Sequence, residues 1–161
     1  LLHSAPEHGT AFEIHFPIAE GPAEEPPVVA PSAPRAVARG RVLVVDDERA
    51  VGGFIGELLE MHGYTAVVET EPRRALEALE RAPSSFDLLI TDQTMPGLTG
   101  AQLAAAALAL RPELPVILIS GYSAALDAEQ ATRLGIHRFL PKPIKAEELL
   151  AAIDTALEAR A

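Results

Sequence analysis

The sequence holds no cysteine and no tryptophan in its 161 residues. The lack of thiols excludes disulfides, thiolate metal sites and cysteine nucleophiles. Lysine is almost missing too: Lys142 and Lys145 are the only two, and no basic run interrupts a chain of formal net charge −10. That balance argues against a nucleic-acid surface and against direct contact with an anionic membrane. No apolar run reaches the roughly 18 residues that span a bilayer. The chain opens LLHS, with neither an initiating Met nor the pattern of a signal peptide. It therefore reads as a piece of something longer, with the cytoplasm as the expected compartment.

What is present divides near residue 40. Within the linker assigned to residues 21–40, the stretch GPAEEPPVVAPSAPRAVAR (21–39) holds five of the 14 prolines. It has too little apolar periodicity to fold alone and should be semi-stiff. Ahead of it, in residues 1–20, Phe12, Ile14 and Phe16 alternate with Glu13 and His15. This is the period of a strand with one buried face, and Gly9 and Thr10 supply a turn before it.

Residues 41–161 alternate between strand and helix signals. RVLVVDD (41–47), YTAVVE (64–69), FDLLIT (86–91), PVILIS (115–120) and HRFLP (137–141) read as strands. Helical spacing covers 48–63, with Val51, Phe54, Ile55, Leu58, Leu59 and His62 along it, then 72–82, 100–112, 123–135 and 146–160. Five βα units with strands apolar on both faces predict an α/β fold, a doubly wound five-stranded parallel sheet with helices on both sides. In such sheets ligands sit beyond the carboxyl ends of the strands.

Those ends carry the candidate chemistry: Asp46 and Asp47 after the first strand, Asp92 after the third, Ser120 after the fourth and Lys142 after the fifth. Singly, each has a plain structural use, and Asp47 could cap the helix that follows it. Together, three carboxylates on one edge repel one another unless a cation offsets them. An all-oxygen cluster without His or Cys suits a hard divalent ion such as Mg²⁺. Lys142 adds a point charge able to meet a phosphoryl oxygen.

At VLVVDDE, DLLITDQTMPGLTG, VILISGYS and FLPKPI the chain resembles the receiver domains of bacterial two-component response regulators, a flavodoxin-like fold. The resemblance implies that Asp92 is the phosphoacceptor and that Asp46, Asp47, Asp92 and the backbone carbonyl of Thr94 hold Mg²⁺. It makes Lys142 the partner of the phosphoryl group, Ser120 the hydroxyl that senses it and Phe139 the aromatic switch. It also implies a cis Lys142–Pro143 bond. Partners would be a histidine kinase or a histidine phosphotransfer protein, and a weak homodimer is compatible with the resemblance. The fragment's own catalysis would be limited to its phosphorylation and dephosphorylation. A degenerate receiver used as a phosphorylation-independent scaffold is the alternative. A haloacid-dehalogenase-type phosphatase would need a second Asp at position 94, where Thr stands.

SAPEHGTAFEIHFPIAE, residues 4–20, resembles the last strand pair of the ATP-binding domain of histidine kinases, with Glu7 in place of the usual first Gly. It implies a hybrid sensor histidine kinase as the parent chain. The upstream elements of an ATP site do not occur in this sequence, so ATP binding by it is not expected.

Overall fold

Of the alternation read from Phe12 onward, only Phe12 falls in a described strand, and it closes a hairpin. In the computed structural model, which describes residues 2–5, 9–13, 39–121 and 133–158, strand β1 (Leu2–Ala5) pairs antiparallel with β2 (Gly9–Phe12). Gly9 and Thr10 are not the turn but paired strand residues, opposite Ala5 and Ser4. The sequence puts Pro6 directly after β1, and a proline lacks the N–H that another rung would need. Ile14, Phe16 and the linker through residue 38 lie outside the described residues. This hairpin falls in a unit spanning Leu1–Pro34; the rest of the chain, Arg35–Ala161, forms a second unit.

The second unit is the doubly wound sheet. Strands β3 (Arg41–Val45), β4 (Thr65–Glu69), β5 (Leu88–Asp92), β6 (Val116–Ser120) and β7 (Arg138–Pro141) lie in the order β4-β3-β5-β6-β7 and pair in parallel throughout. Helices α1 (Arg49–Met61), α2 (Pro72–Arg81), α3 (Gly100–Leu110) and α4 (Ala146–Glu158) cover it. Successive strand residues point to opposite faces, so the sheet feeds two cores. Leu43, Val45, Leu89 and Leu118 pack with Leu79 of α2 and Leu103 of α3. Val42, Val44, Ile90 and Ile119 pack with Ile55 and Leu59 of α1 and Leu149 and Ile153 of α4. Every residue of β5 and β6 is buried, as strands covered on both sides must be.

Two sequence expectations shift, and a third falls mostly outside the described residues. Phe54 shares the apolar periodicity of α1 but stands 54% exposed. The face of α1 against the sheet is instead Gly52, Ile55, Gly56 and Leu59. The glycines are there because Val68 of β4 comes so close: a Cβ at Gly56 would lie 2.8 Å from Val68 Cγ2. Helix α3 stops at Leu110, two residues before Pro112. Arg111 turns extended there and its guanidinium donates to the carbonyls of Phe86 (2.6 Å) and Pro83 (3.2 Å). Of the helix expected over 123–135, residues 122–132 lie outside the described set.

Candidate functional site

The carboxyl ends of β3, β5 and β7 bring three charged groups together. Asp92 is the last residue of β5 rather than the first beyond it, and it is 4% exposed. Lys142, directly after β7, places its Nζ 2.7 Å from Asp92 Oδ1 and 3.6 Å from Asp46 Oδ2. The other Asp92 oxygen, Oδ2, accepts from the backbone N–H of Thr94 at 2.6 Å. Asp46 is 1% exposed; its Oδ1 accepts from the N–H of Glu48 (2.8 Å), while its Oδ2 is buried without a hydrogen-bond partner. The Lys142–Pro143 peptide is cis, as expected.

The electrostatics follow from this packing. Burial pushes the Asp46 carboxyl above its ordinary range; the Glu48 N–H and the Lys142 charge oppose the shift, and Asp92 and Asp47 add to it. For Lys142, burial acts to lower the pKa, yet the hydrogen bond to Asp92 and the negative charges of Asp46, Asp92 and Glu48 outweigh it and hold it above the usual lysine value. The ammonium is thus fixed as a cation between two acids.

The remaining candidates sit around this pair in different ways. Asp47 is exposed and does not cap α1, whose N-cap residue is Glu48 without a side-chain hydrogen bond. Ser120 is buried at the end of β6, and its hydroxyl donates to the carbonyl of Gly121 at 3.3 Å. Thr94 is exposed on the loop after β5. Phe139 lies half-buried in β7, paired with Leu118 and packed on the core that α2 and α3 cover.

Among the described residues no three His, Cys, Asp or Glu side chains converge as a ready-made metal cage. Mg²⁺ keeps several waters and takes one or two protein carboxylates. The unpartnered Asp46 Oδ2, buried beside exposed Asp47, is the oxygen such an ion would satisfy. The donor set fits the group.

Two features were not legible in the sequence. An apolar groove opens beside Lys142, lined by Val51, Phe54, Pro143 and Ile144. Gln93, read only as part of a loop motif, makes contacts to α3 described below. Neither has a periodicity signal, since one arises from a helix meeting a loop and the other from a cap eight residues away.

Residues 42–154 match the family model for the response regulator receiver domain. The chain is 35% identical over 117 residues to the transcriptional regulatory protein GlrR of Escherichia coli K12, covering 73% of this chain and 26% of that protein. It is equally similar to the transcriptional regulatory protein CpxR of the same strain, of which 49% is covered. It therefore spans between about a quarter and a half of the length of these relatives. Among solved structures, a response regulator receiver domain protein from Clostridium thermocellum superposes with a TM-score of 0.71 at 29% identity, over 74% of this chain and 95% of that one. Sheet order, buried acid pair, lysine after the last strand and the match over most of the chain agree: this protein belongs to the response regulator receiver domains, the phosphoacceptor modules of two-component systems.

Proposed function

We propose that the chain accepts a phosphoryl group from a phosphohistidine onto Asp92, with Mg²⁺ held by Asp46, Asp47, Asp92 and the Thr94 carbonyl, and so switches a protein-binding surface. The observation that carries this reading is the 2.7 Å contact of Lys142 with Asp92 beside the unsatisfied Asp46 oxygen. An Asp92 oxygen attacks phosphorus, forming a P–O bond to the carboxyl carbon's oxygen and so an acyl phosphate. The P–N bond of the donor, whose other ring nitrogen carries a proton, breaks and its electron pair returns to the phosphorylated nitrogen, so the ring leaves as neutral imidazole. Lys142 passes from the carboxylate to a phosphoryl oxygen, so its positive charge stays on the group that carries the growing negative charge. When bound, Mg²⁺ neutralises phosphoryl oxygens in the same way. Ser120 then turns its hydroxyl to the new acceptor oxygens, and Phe139 follows into the space vacated, biasing a two-state surface.

The donor needs a seat next to Asp92. The groove of Val51, Phe54, Pro143 and Ile144 supplies an apolar one that is continuous with Lys142, which suits a helix of a histidine kinase or histidine phosphotransfer protein. Asp92→Asn should abolish the gain of one phosphoryl mass that acetyl phosphate and Mg²⁺ give the wild type. Labelling of that variant at the wild-type level would remove Asp92 from its role, whereas equal partner affinity of the wild type with and without phosphate would favour the phosphorylation-independent scaffold. The hybrid-kinase parentage rests mainly on the N-terminal segment, whose antiparallel pairing of Leu2–Ala5 with Gly9–Phe12 is compatible with the closing hairpin of an ATP-binding domain, and on the SGYS and DQTMPG variants of the receiver motifs. The relatives named above are transcriptional regulators instead.

A further inference from the structure

Helix α3 begins with several backbone N–H groups that no residue of the helix can satisfy. Their partners can be followed one by one. The N–H of Gly100 donates to the backbone carbonyl of Gln93 at 3.1 Å. The N–H of Ala101 donates to the side-chain carbonyl of the same residue, Gln93 Oε1, at 3.0 Å. The N–H of Gln102 donates to Thr99 Oγ1 at 3.3 Å, within a capping box. Gln93 therefore takes two of the three, once with its main chain and once with its side chain.

Its own N–H is committed elsewhere, to the carbonyl of Ile119 in β6 at 2.8 Å. Gln93 thus ties the neighbouring strand to the first turn of α3 and closes residues 94–99 into a loop pinned at both ends. The residue immediately inside the loop is Thr94, whose N–H holds Asp92 Oδ2 at 2.6 Å. The far end is fixed with little tolerance, because a Cβ at Gly100 would lie 2.1 Å from the Asp92 carbonyl oxygen.

We infer that Gln93 is a positioning residue for the metal and phosphoryl site: its side-chain carbonyl on Ala101 sets where Thr94 presents its backbone to Asp92 and to Mg²⁺. This rests on the reading of Asp92 and Thr94 proposed above. Gln93 touches no reacting atom; it acts through Thr94. A glutamate in its place keeps an acceptor of the same reach, and its negative charge suits a helix N-terminus. A leucine has similar bulk and no acceptor, and leaves the Ala101 N–H without its partner. An asparagine keeps the amide but falls one methylene short.

The test measures Mg²⁺ affinity by calorimetry without any phosphodonor, and acetyl-phosphate labelling rates across a Mg²⁺ series. Gln93→Leu and Gln93→Asn should weaken Mg²⁺ binding by three- to tenfold, slow labelling at low Mg²⁺ and recover most of the rate at saturating Mg²⁺. Gln93→Glu should restore wild-type affinity. If Gln93→Leu fails to fold, the Asn and Glu pair makes the same comparison. Wild-type affinity in the Leu or Asn variant, beside normal labelling of the wild type, would overturn the inference alone. A wild type that binds Mg²⁺ with the expected split among variants but never labels would instead overturn the reading of Asp92 and leave the bracket standing. Absence of Mg²⁺ binding by the wild type would overturn both.

Discussion

Asp46 shows what a functional residue costs at the scale of a single side chain. It is almost fully buried, near Asp92 and with one oxygen unpartnered. Lys142 lies 3.6 Å from that oxygen, but its shorter contact is to Asp92. One cation therefore serves two buried acids; burial first, then the charges of Asp92 and Asp47, disfavour the ionised Asp46 and raise its pKa against the pull of the Glu48 N–H and Lys142. An unsatisfied buried acceptor costs about 1–3 kcal/mol. Asp46→Asn keeps the acceptor for the Glu48 N–H and removes one of the repelling charges. It should stabilise the metal-free protein by about 1 kcal/mol, at the lower end of that range, and abolish Mg²⁺ binding. Thermal melts with and without Mg²⁺ read both: the variant should melt higher than wild type in chelator and gain nothing from the ion. A lower melting point in chelator would mean that Lys142 already compensates Asp46 in full.

At the scale of elements, the strands were the most legible part. Apolar runs such as VILIS can be buried on both faces only in a covered parallel sheet, and the acids that close them mark its functional edge. Helix faces were less legible, because periodicity sees residue type and not the distance to the neighbouring strand. Phe54 has the spacing of a core residue, but α1 approaches the sheet through Gly52 and Gly56, and only glycine admits Val68 so near. The hairpin was misread because Gly and Thr are turn residues by habit, whereas pairing continues up to Gly9. Gln93 gave no signal, as a side-chain cap between residues eight apart has no periodic signature. A contact between elements that composition also hides is the Tyr64 hydroxyl, just before β4, donating to Asp154 Oδ1 of α4 at 2.7 Å. Burial, then the hydrogen bond and charge of Asp154, push the Tyr64 phenol up to about 12. The folded state therefore keeps this proton more tightly than the unfolded chain. Its contribution is complete below about pH 10, the ordinary phenol value, and is lost as the pH climbs through about 12. Tyr64→Phe should lose roughly 1 kcal/mol at neutral pH and should also show a flatter fall in stability between pH 10 and 12. Denaturant melts across that window check the slope; identical slopes in both proteins would place the titration elsewhere.

At the scale of the molecule, the sequence set the receiver boundary at residue 41, yet the structural unit begins earlier. The second unit begins at Arg35, and Arg39 is already part of it. Its N–H donates to the Gly63 carbonyl at 3.0 Å, its guanidinium meets Asp154 at 3.1 Å, and it lies 5.2 Å from the centre of the Tyr64 ring. Arg39 and Asp154 are both about half exposed, so the ion pair adds little. The backbone hydrogen bond and the ring contact contribute about 1 kcal/mol each at most. A chain beginning at Arg35 should therefore keep the melting temperature and Mg²⁺-dependent labelling of the full chain, because a two-stranded hairpin adds little stability of its own. A chain beginning at Gly40 should melt a few degrees lower, roughly 3–5 °C per kcal/mol for a domain of this size. Arg39→Ala in the full chain should reproduce only the side-chain part of that loss, since the backbone N–H to Gly63 remains. Calorimetric melts of the three proteins separate the contributions. A large drop on removal of residues 1–34 would show that the second unit depends on the first, and equal melting of the Arg35 and Gly40 chains would show that the Arg39 contacts add nothing in solution.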